Sequence, residues 1–439
     1  MPEIESSDHR KRFRLLGRRE LLVVFCAVLA LLIVASWRGT IREEVALARL
    51  SGMPGVIISD SLIDHDVASL SHPGLLGWTP AGSLSSYRPD CLSWLFRVRM
   101  ISRPKSVSVN AAAPPEAFNE LGRLRNVYDL DVSNSSVTDD LLAHVVPDRF
   151  QGQLRLKNTA VTDEGLRRIV GRRVTHLDLT GTRVTDEGLK SIATFRKLET
   201  LTLTSTPITG VTLSELKRLP DLAVLILSKT WVTDQNLAGL SGHPGIGCIN
   251  LSSTRVGDEA LAVLATMPNC RMAVLSDTQV TGAGLIHLAR CGNWAWLEFT
   301  RCPLETTAVI ATDLESNSLR LNETPLDDRI IPWLLSRRRL RGVQLDGAAI
   351  TNRGLAALAK PHRDIGVSLC NTTIDDVGVA AYYLGEGWIV PGSGDAEHRS
   401  LLIDEIAAAH AAAPDRQKLT ASSLEGTCVS PEVLAVLDP

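Results

Sequence analysis

The chain has 439 residues, 46 basic against 49 acidic, a net charge of −3, and only 4% aromatic residues. That length accommodates two or three ordinary domains, although one large globular core would use more rings. The charge balance gives no basis for nucleic-acid binding, which needs a strongly basic face. Eight cysteines without a CxxC pair leave zinc ribbons and redox dithiols unsupported.

Residues 21–37 read LLVVFCAVLALLIVASW, seventeen positions without a charge. A bilayer core takes roughly 17–25 apolar helical residues, so this run is just long enough to span it. Arg10, Lys11, Arg12, Arg14, Arg18 and Arg19 precede it, and in the next twenty residues only Arg38, Arg42 and Arg49 are basic. The positive-inside bias predicts a cytoplasmic tail over 1–20, an anchor over 21–37 with Trp37 at the interface, and export of the rest as a single-pass membrane protein. A cleaved signal peptide is the rival, with Val34-Ala35-Ser36 as a small-residue cleavage site. A buried core helix is a third reading, opposed by hydrophobicity on every face. Residues 38–105, broken at Pro54-Gly55, Pro73-Gly74 and Pro80-Ala81-Gly82, read as a juxtamembrane segment and N-terminal cap, with Trp94, Leu95 and Phe96 sealing the first of the repeats that begin beyond it.

From there an internal repeat governs the chain. Val161-Thr-Asp-Glu-Gly-Leu166 recurs as Val184-Thr-Asp-Glu-Gly-Leu189, and weaker copies begin at Val137, Ile208, Val232, Val256, Val280, Leu304, Leu326, Ile350 and Ile374, spaced 22 to 24 residues apart. Each copy carries an apolar frame upstream, such as Val174, Leu177, Leu179, Thr182 and Val184, followed by Leu189, Ile192 and Phe195. The alternating L-x-L predicts a short strand with one buried face, and the spacing of three predicts a helical turn. A single strand–turn–helix unit cannot cover its apolar side, so neighbours must stack and share a continuous core.

The frame L-x-x-L-x-L-x-x-(N/T/C)-x-L resembles the leucine-rich repeat, in its 24-residue form with Thr or Cys at the usual asparagine position. Here that position holds Ser135, Thr159, Thr182, Thr206, Thr230, Thr254, Thr278, Cys302, Thr324, Ala348 and Thr372. The resemblance covers about two thirds of the chain. It implies an α/β solenoid over 106–383, with parallel strands on a concave side and short helices on the convex side. Residues 384–439 read as divergent terminal repeats and a C-terminal cap, with a longer helix over 399–413 and Leu434 at the position of Leu189.

Strand alternation places the residues flanking each L-x-L on the concave face. One row reads His176, Thr200, Val224, Cys248, Met272 and Trp296; the next includes Ile226, Asn250, Val274, Glu298 and Arg320; a third is a hydroxyl ladder through Ser228, Ser252, Ser276 and Thr300. Val224, Ile226, Met272, Val274 and Trp296, with Glu298 and Arg320, form the candidate ligand-binding patch, since exposed apolar residues rimmed by polar ones often mark interfaces. Register error or a covering loop would undo that expectation. Cys248 and Cys370 are likewise expected on exposed strand positions.

Signals for chemistry are weak. The acidic pairs Asp163/Glu164, Asp186/Glu187, Asp258/Glu259, Asp327/Asp328 and Asp375/Asp376 could be read as a calcium ladder. Threonine caps and first-turn acids complementing the helix dipole explain them better. Asp64-His65-Asp66 lacks a second cluster to complete a metal site. No nucleophile elbow and no phosphate-binding loop occurs. The resemblance implies binding rather than catalysis, and no motif in the sequence calls for a cofactor, a metal or a small-molecule substrate. The expected partner is a protein or a cell-envelope polymer. The alternative is an intracellular F-box-like substrate-receptor module of a ubiquitin ligase, which such repeats also resemble and which needs a helical adaptor segment within 38–105.

Overall fold

In the computed structural model, the described residues are 45–59, 105–124, 127–148, 150–291, 294–359, 365–384, 396–413 and 419–437. The apolar run 21–37, the sealing residues Trp94, Leu95 and Phe96, and Asp64-His65-Asp66 lie outside them. Among the described residues no helix is long and apolar enough to cross a membrane.

Thirteen strands form one sheet in sequence order. They are β1 (Val56–Ser59), β2 (Lys105–Val109), β3 (Val127–Asp131), β4 (Gln151–Arg155), β5 (Arg173–Asp178), β6 (Thr200–Thr202), β7 (Val224–Ile226), β8 (Cys248–Asn250), β9 (Met272–Val274), β10 (Trp294–Glu298), β11 (Ser316–Arg320), β12 (Gly342–Gln344) and β13 (Gly366–Ser368). From β2 onward every pairing is parallel, and a short helical segment comes after each strand from β2 to β13. Only β1 runs antiparallel, against β2, and it forms the described edge of the sheet within the segment expected to cap it.

The repeat frame becomes one uninterrupted core. Leu177, Leu201, Leu225 and Ile249 stack behind β5–β8, each at most 1% exposed, and Leu189, Leu213, Leu237 and Leu261 stack on the helical side. Burying a leucine contributes roughly 1.5–3 kcal/mol, so a period held for ten turns is a large cumulative gain. The threonine at the asparagine position is buried, and its hydroxyl donates to the carbonyl three residues earlier: Thr182 to Leu179 (2.7 Å), Thr206 to Leu203 (2.7 Å), Thr230 to Leu227 (2.6 Å). At Cys302 the thiol takes over and donates to Leu275 in the preceding coil (3.0 Å).

One residue before each of these threonines, the backbone turns left-handed. Asn134, Asn158, Ser205, Lys229, Ser253, Asp277, Arg301, Glu323 and Asn371 all have φ between 53° and 57°, and Gly181 and Gly347 hold the same place. The conformation costs a non-glycine residue about 1 kcal/mol. It persists because each of these N–H groups donates to the carbonyl of the next coil, as from Lys229 to Ser252 and from Arg301 to Asn322 (2.8 and 2.9 Å).

The acidic pairs do more than complement helix dipoles. Thr162, Thr185, Thr281 and Thr351 cap their helices as expected. Each also donates its N–H and its hydroxyl to the aspartate of the preceding coil, respectively Asp139, Asp163, Asp258 and Asp328. The glycine of V-T-D-E-G-L then has a cause. A Cβ on Gly165, Gly188, Gly284 or Gly354 would overlap that same aspartate carboxylate. Thr caps, Asp receives the next coil, Gly leaves room for the previous Asp, and Leu is buried.

At the C-terminal end, the helix Asp376–Leu384 is succeeded by the helix Ala396–Ala412, close to the expected 399–413. Beyond it the chain returns directly onto the last coil, where Leu369 and Asn371 donate to Ser423 and Glu425, and Cys428 donates to Ile374. Leu424 and Val429 are buried, but Val433, at 1% exposure, fills the site expected for Leu434, which is only half-buried. Pro431 starts the last helix, and its phase puts Val433 and Leu437 inward.

Candidate functional site

Strand register carries the candidate residues onto one face in the expected rows. Val224 pairs with Cys248, Cys248 with Met272, and Met272 with Trp296; Ile226, Asn250, Val274, Glu298 and Arg320 succeed each other across β7–β11. Their exposure departs from expectation. Val224, Ile226, Met272, Trp296 and Arg320 are half-buried, while Val274 is 1% and Glu298 4% exposed. Cys248 is buried as well, and burial pushes its thiol up to about 11. Cys370 is half-buried, its thiol donating to Ser422 of the returning C-terminal coil (3.1 Å). The sheet face is therefore no open apolar patch. Parallel strands about 4.8 Å apart bring same-row side chains into mutual contact, so neighbours cover the smaller ones.

Glu298 is buried because it has partners. Its Oε2 accepts from Arg320 Nη1 at 3.1 Å and its Oε1 from Ser276 Oγ at 2.9 Å. Arg320 also donates through Nε to Gln344 (2.6 Å), and its guanidinium lies 4.9 Å from the Trp296 ring centroid. With side chains 12% and 5% exposed, this ion pair is desolvated and held by bonds from three strands. Trp296 thus supports Arg320 instead of standing free.

Beside the pair runs a groove of about 390 Å³ lined by residues that include Ser228, Asn250, Ser252, Ser276, Thr300 and Asn322. Lys229, Asp277 and Arg301, from the left-handed positions, form its rim. Arg301 bridges Asp277 (Nη2–Oδ2, 2.7 Å) and Glu323 (3.2 Å), and that guanidinium holds the Asp277 carboxyl below its ordinary range. The hydroxyl row was legible in the sequence. The rim was not, because a left-handed residue gives no periodic apolar signal.

Large exposed apolar side chains among the described residues lie elsewhere: Val211 and Trp231 (65% and 53% exposed) come after strands β6 and β7, and Ile286 (50%) lies on the helix Leu285–Ala289. No group of three or more metal-ligating side chains occurs among the described residues.

The family described as Leucine Rich repeat matches residues 174–193. Cytoplasmic dynein 2 heavy chain 1 of Rattus norvegicus is 36% identical over 76 residues, which is 16% of this chain and 2% of that protein. The Mus musculus protein of the same name matches to the same extent, so the chain spans only about 2% of these curated relatives. Among solved structures, an internalin from Listeria monocytogenes aligns over 61% of this chain and 80% of its own, at 18% identity and a TM-score of 0.45. A plant peptide hormone receptor, solved in complex with RGF2, aligns over 60% and 43%, at 13% identity and a TM-score of 0.33.

Proposed function

We propose that this leucine-rich-repeat protein is a non-catalytic scaffold, tethered to a membrane through residues 21–37, that binds a protein or an envelope polymer on the open face of its sheet. The observation that carries the reading is the contrast within that sheet. Its inner face repeats an apolar side chain, leucine in most coils. Its outer face changes from strand to strand along the row Ile226, Asn250, Val274, Glu298 and Arg320 and, between β7 and β11, carries the polar groove beside Glu298–Arg320. A surface that served only to close the fold would have no reason to vary in chemistry where the core stays apolar. The uncharged run of seventeen residues behind a cluster of arginines supports the tether and an exported solenoid.

Two experiments test this. Partner capture by the full-length chain should be lost or strongly reduced in Met272→Ala and Trp296→Ala and kept in Ile286→Ala, on the helical side. Capture insensitive to both sheet-face changes would remove the site. Protease added to intact spheroplasts should cut the solenoid; protection would place it in the cytoplasm and favour the adaptor reading.

A further inference from the structure

The hydrogen bonds of the groove indicate what it takes up, an inference that rests on the sheet face being the binding face. Both carboxylates in its wall are already used: Glu298 by Ser276 and Arg320, Asp277 by Arg301. The amide oxygens of Asn250 and Asn322 are used too, by the backbone N–H groups of Ser252 (2.9 Å) and Asp346 (3.0 Å). Asn322 donates its NH2 to Gln344, at 3.5 Å. What remains, among the described residues, is a surplus of donors: Asn250 Nδ2, Arg320 Nη2, Lys229 Nζ and the hydroxyls of Ser252 and Thr300. Thr300 Oγ1 is buried with no hydrogen-bond partner, a condition that native structures rarely leave without a reason.

The donors lie in a row, not around a point. From the coil of Ser228 to that of Asn322 is four strand spacings, about 19 Å, the length of roughly six extended residues. A compact anion would draw its donors to one centre. Arg301 and Arg320 are paired with carboxylates, which leaves Lys229 as the cation in this row with no carboxylate partner among the described residues, so an acceptor-rich chain is favoured over a basic one. No aromatic side chain lines the groove, and the Trp296 ring is covered by Arg320, which leaves sugar rings nothing to stack on.

We propose that this groove binds an extended acidic peptide segment, whose carbonyl and carboxylate oxygens accept from Lys229, Asn250, Ser252, Thr300 and Arg320. The test is fluorescence polarisation of labelled Asp-Ser, Gly-Ser and Lys-Ser repeat peptides, and of a labelled neutral oligosaccharide, titrated with the full-length chain in detergent. The Asp-Ser peptide is expected to bind at least about tenfold tighter than the Gly-Ser peptide, with the Lys-Ser peptide weakest. Asn250→Asp keeps the oxygen that Ser252 uses and replaces the free donor with an acceptor. Lys229→Gln removes only the rim charge. Each should weaken Asp-Ser binding about tenfold, with unchanged circular dichroism and melting temperature showing that the fold is intact. Equal affinity for the three peptides, preference for the Lys-Ser peptide or the oligosaccharide, or indifference to both substitutions would overturn the proposal. If that happens while Met272→Ala and Trp296→Ala still abolish partner capture, the scaffold stands and only the ligand class falls.

Discussion

The helical rim and the sheet face of this solenoid obey different rules. Along the rim, Asp139–Thr162, Asp163–Thr185, Asp258–Thr281 and Asp328–Thr351 are the same joint made again, down to the glycine that admits the carboxylate. Across the sheet face, the row Ile226, Asn250, Val274, Glu298, Arg320 and Gln344 never repeats. Positions that build the stack are fixed by their neighbours in the stack. Positions free of that duty are where a recognition chemistry can be written.

The comparison breaks most visibly at Glu298. Glu298→Ala leaves a desolvated Arg320 guanidinium without its carboxylate and should cost about 3–5 kcal/mol in chemical denaturation; a loss under about 1 kcal/mol would mean that the pair is hydrated. At the rim, Asp258→Ala strips the N–H and hydroxyl of Thr281 of their acceptor and should cost about 1–3 kcal/mol. Gly284→Ala attacks the same joint from the other side, because the nearest atoms its Cβ would meet are those of the Asp258 side chain. The two losses should therefore combine to less than their sum, read in a double-mutant cycle.

Acid probes a third kind of position. His243 occupies the core place held by Phe195, Leu219 and Met267 in other coils and is fully buried. Its Nδ1 accepts from the N–H groups of Gly245 and Ile246, so Nε2 carries the proton and donates to Leu216. Burial, the largest influence, lowers its pKa, as it does for His176 on the sheet face. The unfolded chain, titrating near the ordinary imidazole value of about 6.5, thus binds protons that the folded chain refuses. Stability is complete above that value and declines as pH falls through it towards the depressed folded value. The melting temperature should drop between pH 7 and 5, and His243→Met should flatten that slope. The smallest effect is expected at Thr300→Val, which removes an unpartnered hydroxyl at nearly constant shape. It should change stability by less than about 0.5 kcal/mol in either direction, while weakening acidic-peptide binding.

Most of the architecture was legible because period and burial are one phenomenon: Leu177, Leu201 and Leu225 recur since each covers the next. Strand rows came from alternation alone. Exposure on the sheet face did not, because it depends on pairs between strands that a linear reading does not display, such as Arg320 folded over Trp296 and onto Glu298. The rim joint was half legible. Threonine and aspartate read as local capping, but their stronger bonds run between coils 22 to 23 residues apart.

The central claim, that recognition belongs to the variable sheet face, is tested most directly by site-specific photo-crosslinking in cells. A photoreactive residue at Ser252, in the groove, should yield a defined adduct with another protein that an excess of Asp-Ser peptide suppresses, whereas one at Ile286 on the helical side should yield none. Adducts from Ile286 alone, or equal adducts from both positions, would contradict the account.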